Sequence, residues 1–503
     1  MNFIYFITPI FLSFFPILYL ASSNLGERLT LGQIVGTILI SGISSIISTY
    51  LFSKIFKNIP KSSILICWLI ILFFSYGYLI SFFSEITILE EPIGRHRYWG
   101  TLLLLITIII FFKIYYSRKN FANLIKSILV ASLVLISLNI IQIFVYYSQP
   151  RTEILETLNL EELKTNYSNE DKPDVYHIIL DMYPSQKILE TRFNFDNSIF
   201  LEHTEKLGFI NLNGRSNYIR TKHSIPSTIN LVQLNELNQD QLLSVQETEW
   251  SFQSSLEGFY AKKLGYKIHH LSTNDPQSFW GWMFGDFTRL IVKTSLLRIV
   301  EDSPIPINKL WIAKDSKFFK KNINKLLEIS NDNESTWTFF YSRPPHPPFI
   351  FNKDGTLRDK KEYDQDFATN LTDTWSENTK EMYVNQIEYI NTEFLKIFDE
   401  IIKSSNIKPI IIIHSDHGIH NFSGSIGEEE LNDISEAVIN EHFNILTSLY
   451  TVDNCRKIAE KDITSVNIIR TILRECFEFD IKNTSDNSYW SHRHKNEFIS
   501  VKE

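Results

Sequence analysis

Cysteine is scarce, with three in 503 residues. Cys67 lies in an apolar run, and only Cys455 and Cys476 fall in the polar remainder of the chain. Two thiols make no disulfide framework, so the fold must rest on a packed core. In an oxidising compartment the pair can bridge; two separate buried thiols are the other reading. Aspartate is missing from the first 150 residues, where ten Lys/Arg stand against four Glu, a net of +6. Subtraction from the totals of 49 and 57 leaves 39 against 53, a net of −14, for the rest. That acidic, tyrosine-rich part lacks any basic stripe, which argues against a nucleic-acid partner, since phosphate backbones are met by clustered Lys and Arg. There is also no internal repeat, no Gly-rich phosphate loop and no low-complexity tract.

Long apolar runs fill the first part instead. Stretches at about 3–21, 30–53, 63–83, 99–116 and 124–147 are each long enough to cross a hydrocarbon core of roughly 30 Å as a helix. They are apolar all round, whereas helices of soluble proteins keep a polar face. Lys54, Lys57 and Lys61 follow the second stretch, and Lys113, Arg118, Lys119 and Lys126 surround the gap after the fourth. The excess of Lys and Arg assigns both loops to the cytoplasm. Loop 84–98 balances Glu85, Glu90 and Glu91 against Arg95 and Arg97, and so faces out. Five spans then leave the C-terminal region on the extracytoplasmic side of a cell membrane. A signal peptide ending near Ala21-Ser22-Ser23 is the alternative for the first span, although it lacks a basic start; cleavage would not change the side of the C-terminal region. The expected organisation is a five-helix anchor over 1–148, a polar linker over 149–172 and a catalytic domain over 173–503.

Asp174 to Leu180 is a short apolar run ending at Asp181, and Pro409 to Ile413 is another, ending at His414-Ser415-Asp416-His417-Gly418. A third, Thr336 to Tyr341, runs into Ser342-Arg343-Pro344-Pro345-His346-Pro347. All three look like buried parallel strands. Helical patterns lie between them, notably Glu381 to Lys403, so the expected fold is an α/β domain with a largely parallel central sheet. Ligands of such sheets bind beyond the carboxyl ends of the strands, and every metal-capable cluster falls there.

Asp181, Asp416 and His417 offer two hard carboxylates and an imidazole for one cation. Taken singly, each is equally a helix cap or a solvated residue. A hydroxyl at a helix N-terminus, held against a divalent cation, is deprotonated more easily than in water. The stretch Arg215 to Ser227 supplies several hydroxyls where a loop turns into a helix, and composition does not choose among them.

Five segments in order resemble the lipoteichoic acid synthase and phosphoethanolamine transferase branch of the alkaline phosphatase and sulfatase superfamily. They are Pro173 to Tyr183; Ser216-Asn217-Tyr218 with Thr221, Ser224 and Ser227; His346-Pro347-Pro348-Phe349; Ser415-Asp416-His417-Gly418; and Phe443-Asn444-Ile445-Leu446. Carried over position by position, the resemblance implies that Asp181, Thr221, Asp416 and His417 hold one divalent cation, Mn²⁺, Mg²⁺ or Zn²⁺, with Thr221 as nucleophile. It also implies that His346 meets the phosphoryl group or the acceptor. Arg343 is a candidate for an anionic substrate or a solvated surface residue. His492 and His494 line the site, hold a second cation or sit in solvent. Two departures stand out: His414 occupies a position that is often Gln, and Met182 one that is frequently Gly. No Cys/Ser-x-Pro/Ala-x-Arg setting for formylglycine is present, which disfavours ordinary sulfatase chemistry.

The resemblance implies a transferase that moves a phosphoglycerol- or phosphoethanolamine-type substituent from a membrane phospholipid to a glycan or lipid acceptor through a phospho-threonine. A tethered phosphodiesterase or sulfatase-like hydrolase would use the same residues with water as acceptor. An inactive glycan-binding or scaffolding domain would be expected to lack a ligand, and all four positions are filled.

Overall fold

The computed structural model describes residues 3–25, 31–84, 86–88, 91–148, 154–167, 172–248, 252–272, 286–301, 307–358, 375–419, 435–452, 455, 458, 462–491 and 497–501. His492 and His494 lie outside the described residues. The chain forms two compact units, one of residues 1–150 with 276–311, the other of 151–275 with 312–503.

The first unit contains helices α1 (Phe3–Ser23), α2 (Leu31–Phe56), α3 (Ile59–Ser84), α4 (His96–Tyr116) and α5 (Ala122–Ser148). All five are long and apolar enough to cross a membrane. Much of their apolar surface is exposed, including Leu39, Ile47, Leu104 and Phe144, as expected of helices solvated by lipid rather than by water. Lys61 Nζ donates to the Tyr115 carbonyl at 2.7 Å, which brings the two basic loops to one end of the bundle. The opposite end receives a helix from far along the sequence, Asp286–Thr294. Its Phe287 and Ile291 are buried among Ile17, Leu18, Ala21, Ile34 and Ile136. Gly77 permits the approach, because a Cβ there would fall 2.2 Å from the Lys293 carbonyl oxygen. Just beyond, the Leu296 N–H donates to the Phe73 carbonyl at 2.7 Å, and Arg298 Nη1 to that of Gly77 at 3.0 Å.

The second unit is built on a six-stranded sheet. Its strands are β1 (Val175–Leu180), β2 (Ile210–Asn211), β3 (Lys267–Ser272), β4 (Thr336–Ser342), β5 (Ile410–Ser415) and β6 (Thr447–Tyr450), in the order β2-β6-β5-β1-β4-β3. The four strands from β5 to β3 are parallel, while β6 and β2 close the other side antiparallel. The sheet is therefore mixed, with a parallel centre. Every residue of β1, β4 and β5 is buried, which explains why they read as continuous apolar runs rather than alternating ones. One face packs Val175, Ile179, Trp337, Phe339, Ile410 and Ile412. The other packs Tyr176, Ile178, Phe340, Ile411 and Ile413 against the helix Glu377–Ser404. Ile154, Leu155 and Leu158, within the polar stretch after α5, are buried in the first of these clusters.

Cys455 and Cys476 form a disulfide across a sequence separation of 21. A loop of that length constrains the unfolded chain by about 3 kcal/mol. The double variant Cys455→Ala/Cys476→Ala is therefore expected to lower unfolding stability by that order, read as a shift in the guanidinium midpoint. An unmoved midpoint would mean that the bridge leaves the unfolded ensemble unconstrained.

Candidate metal centre

Register brings the chemistry together. Leu180 lies level with both Ser342 and Ser415, so the residues that follow β1, β4 and β5 emerge side by side at the carboxyl edge of the sheet. Asp181 leaves β1, Asp416 and His417 leave β5, and Arg343 and His346 leave β4. Ser415 stitches the first two turns: its Oγ accepts from the Tyr183 N–H at 2.8 Å and lies 2.7 Å from both the Leu180 and His417 carbonyls.

One ligand atom from each of Asp181, Asp416 and His417 lies within 4.8 Å of the others, and all three residues are buried. His417 Nε2 is 3.5 Å from Asp181 Oδ1 and 3.5 Å from Asp416 Oδ2. His417 Nδ1 donates to the Gly418 carbonyl at 2.8 Å, which fixes the tautomer and makes Nε2 the acceptor atom of the ring, the one a cation would use. Asp416 Oδ1 accepts from the N–H groups of Met182 at 3.1 Å and His417 at 2.8 Å. Its Oδ2 is buried with no hydrogen-bond partner among the described residues. Tyr341 Oη donates to Asp181 Oδ2 at 2.6 Å. Two buried carboxylates this close repel each other, and an orphaned oxygen costs free energy. A bound divalent cation would remove both penalties, so the donor set fits a metal of the O/N-ligand class.

Thr221 is the first residue of the helix Thr221–Asn230, and its Oγ1 lies 3.1 Å from His417 Nε2. The preceding segment is pinned from several sides: Asn217 Oδ1 accepts from the Val466 N–H at 2.9 Å, the Tyr489 N–H donates to the Asn217 carbonyl at 2.8 Å, and the Ser216 N–H to that of Phe443 at 2.8 Å. The neighbouring hydroxyls are engaged elsewhere, that of Ser224 with the Asp416 carbonyl and that of Ser227 with the Val232 carbonyl at 2.6 Å. Of these three side chains, Thr221 is the one whose hydroxyl meets His417 Nε2. The amide ends of its helix add positive potential there.

Two further imidazoles, His346 and His442, lie within electrostatic reach of His417. His346 Nδ1 donates to the Pro347 carbonyl at 2.8 Å, and Arg343 Nη2 to the same oxygen at 3.3 Å. Desolvation, then the nearby Arg343 cation, push the His346 imidazole down to about 3, although the residue as a whole is only partly buried. Neutral His346 therefore keeps Nε2 as an acceptor. Burial likewise pushes His442 down to about 4, with His417 and Arg220 adding to the effect. His414 is pushed down to about 3 by burial and then by His177. Nothing in the sequence marks Tyr341, His442 or Arg220 for this neighbourhood. Tyr341 sits inside an apolar strand, and nothing local distinguishes its hydroxyl from a core tyrosine's.

His414 and His442 are fully buried. An unfolded chain takes up protons on both as pH falls below about 6.5, whereas the folded state resists until about 3 and 4. Their contribution is complete above pH 6.5 and is lost progressively below it. The denaturation midpoint of metal-free protein is expected to fall steadily between pH 6.5 and 4, with each of these two imidazoles taking up as much as one proton on unfolding. A flat midpoint across that window would contradict neutral buried imidazoles.

No protein-family model matches the chain, and no curated protein matches it in sequence. Among solved structures it is similar to the C-terminal periplasmic domain of EcEptC from Escherichia coli in complex with Zn, at 11% identity and a TM-score of 0.43, over 68% of this chain and 96% of that one. It is also similar to the integral membrane lipooligosaccharide phosphoethanolamine transferase A (EptA) from Neisseria meningitidis, at 12% identity and a TM-score of 0.36, over 94% of this chain and 95% of that one. A third is the phosphonate monoester hydrolase of Agrobacterium radiobacter, at 10% identity and a TM-score of 0.37, over 63% and 80%.

Proposed function

We propose that the second unit is a metal-dependent enzyme of phosphate esters that moves a phospho-substituent from a membrane phospholipid to a hydroxyl of an envelope glycan or lipid. The observation that carries the reading is the buried cluster of Asp181, Asp416 and His417 with the hydroxyl of Thr221, at a helix N-terminus, 3.1 Å from His417 Nε2. Those four residues would hold the cation, which when bound lowers the hydroxyl's pKa and offsets charge on a phosphoryl group. Mn²⁺, Mg²⁺ and Zn²⁺ all suit the donor set.

Thr221 Oγ forms a bond to phosphorus as the bond from phosphorus to the diacylglycerol oxygen breaks, and that oxygen takes a proton. The acceptor hydroxyl then attacks phosphorus, the bond to Thr221 breaks, and Thr221 regains its proton. Arg343 and Arg220 supply positive charge for the non-bridging oxygens. His346, neutral and with Nδ1 committed, orients the incoming hydroxyl by accepting a hydrogen bond at Nε2, while the proton itself ends on Thr221. The five helices favour a bilayer-borne donor, and the excess of Lys and Arg in the two loops that share one end of the bundle supports an extracytoplasmic C-terminal region.

The test uses the full chain in nanodiscs of headgroup-labelled phosphatidylethanolamine and phosphatidylglycerol, with a candidate glycan acceptor and Mn²⁺ or Zn²⁺. The expected products are diacylglycerol and labelled acceptor in equal amounts. Diacylglycerol with label only in water would make the protein a hydrolase. Failure to release diacylglycerol from any lipid, with metal bound, would overturn the reading.

A further inference from the structure

Directly beneath the metal-capable residues, on one face of the sheet, lies a polar chain that the proposed chemistry does not use. Glu257, His177 and His414 are fully buried. Glu257 Oε1 accepts from Trp337 Nε1 at 2.9 Å, and its carboxylate lies 2.9 and 3.0 Å from His177 Nδ1. His177 Nε2 then meets His414 Nε2 at 2.9 Å, and His414 Nδ1 lies 2.7 Å from the Ser415 carbonyl.

Counting protons along this chain leaves little freedom. His414 Nδ1 faces a carbonyl, so it carries a hydrogen, and the neutral ring accepts at Nε2. The 2.9 Å contact between the two Nε2 atoms then requires His177 to donate. Without that hydrogen, two lone pairs would face each other inside the core. His177 Nδ1 must also share a hydrogen with Glu257, whichever partner carries it. The pair therefore holds one proton more than a neutral imidazole beside a carboxylate would, and is neutral overall, as deep burial demands. His177 and Glu257 belong to β1 and the helix Leu256–Lys263, whereas His414 belongs to β5. The chain thus ties the end of β5, two residues before Asp416, to two other elements.

We infer that Glu257, His177 and His414 are positioning residues that hold the end of β5 so that Asp416 and His417 present their ligand atoms together. The inference rests on the metal-dependent reading above. His177 Nε2–H orients the His414 ring, and the ring orients the Ser415 peptide through Nδ1–H. Residues that orient ligands from behind typically change metal affinity by 10- to 100-fold when removed.

The full chain in nanodiscs is titrated with Mn²⁺ or Zn²⁺ by calorimetry, as wild type, as Glu257→Gln, and as His177→Phe with Glu257→Gln. Glutamine donates to His177 Nδ1 while still accepting from Trp337, so neutral His177 continues to donate to His414, and affinity within about threefold of wild type is expected. The double variant loses that donor and is expected to bind metal 10- to 100-fold more weakly. Wild-type affinity in a folded double variant would overturn the inference, as would an equal loss in Glu257→Gln alone. Should the double variant not fold, magic-angle-spinning NMR of ¹⁵N-histidine-labelled wild type decides. A scalar coupling between nitrogens of two histidines is expected, and its absence in both the metal-free and the metal-loaded protein would overturn the inference. Metal binding without turnover would sink the proposed function and leave the positioning chain standing.

Discussion

Thr221→Ala is expected to lower turnover of an activated phosphodiester by at least about 10³-fold, the scale on which nucleophile removal usually acts. Its hydroxyl lies 3.1 Å from His417 Nε2, while those of Ser224 and Ser227 are engaged by backbone carbonyls. No neighbouring hydroxyl of that helix turn stands ready to replace it. Thr221→Ser restores the nucleophile with greater rotamer freedom and is expected to recover part of the rate. Steady-state kinetics of the full-length protein, with intact mass after exposure to lipid, provide the check. A phospho-adduct in the wild type that is missing from the alanine variant is the expected pair of results. Equal turnover by both proteins would remove Thr221 from the chemistry.

Asp416→Asn is expected to abolish measurable metal binding, and turnover with it. The amide oxygen can keep the two backbone N–H bonds that Asp416 Oδ1 accepts. That choice places the NH₂ group where Oδ2 now stands, beside Asp181 and His417. An amide nitrogen has no lone pair to offer a cation, and the negative charge that draws one is gone. The same substitution removes one of two buried carboxylates that repel each other, so the metal-free variant should melt no lower than metal-free wild type. Calorimetry with Mn²⁺ or Zn²⁺ and thermal unfolding in chelator test the two halves separately. Undiminished affinity would show that the cation, if any, lies elsewhere.

The five apolar helices were legible because lipid solvation demands unbroken apolar runs, and length is then set by bilayer thickness. The three central strands were legible for a related reason: burial on both faces makes β1, β4 and β5 continuous apolar stretches, each stopped by a cluster of polar residues. Asp181 and Asp416–His417 could be named because they stand at those stops. The antiparallel strands β2 and β6 are not legible in the sequence, because segments as short as Ile210–Asn211 and Thr447–Tyr450 carry too few residues for a pattern. The helix Asp286–Thr294 was not distinguished either, since its partners Ile17, Ile34 and Ile136 lie far away in sequence.

The sequence by itself therefore determined an apolar five-helix region, a parallel α/β centre and the kinds of residue that stand at its strand ends, because each of these is written as a local pattern of polarity. Only the tertiary structure decided that the Thr221 hydroxyl lies beside His417 Nε2, that Cys455 and Cys476 are joined, and that Glu257, His177 and His414 form one hydrogen-bonded chain. Such choices depend on distances of a few ångströms between residues up to 237 positions apart, and strand register and helix packing, rather than local composition, set those distances.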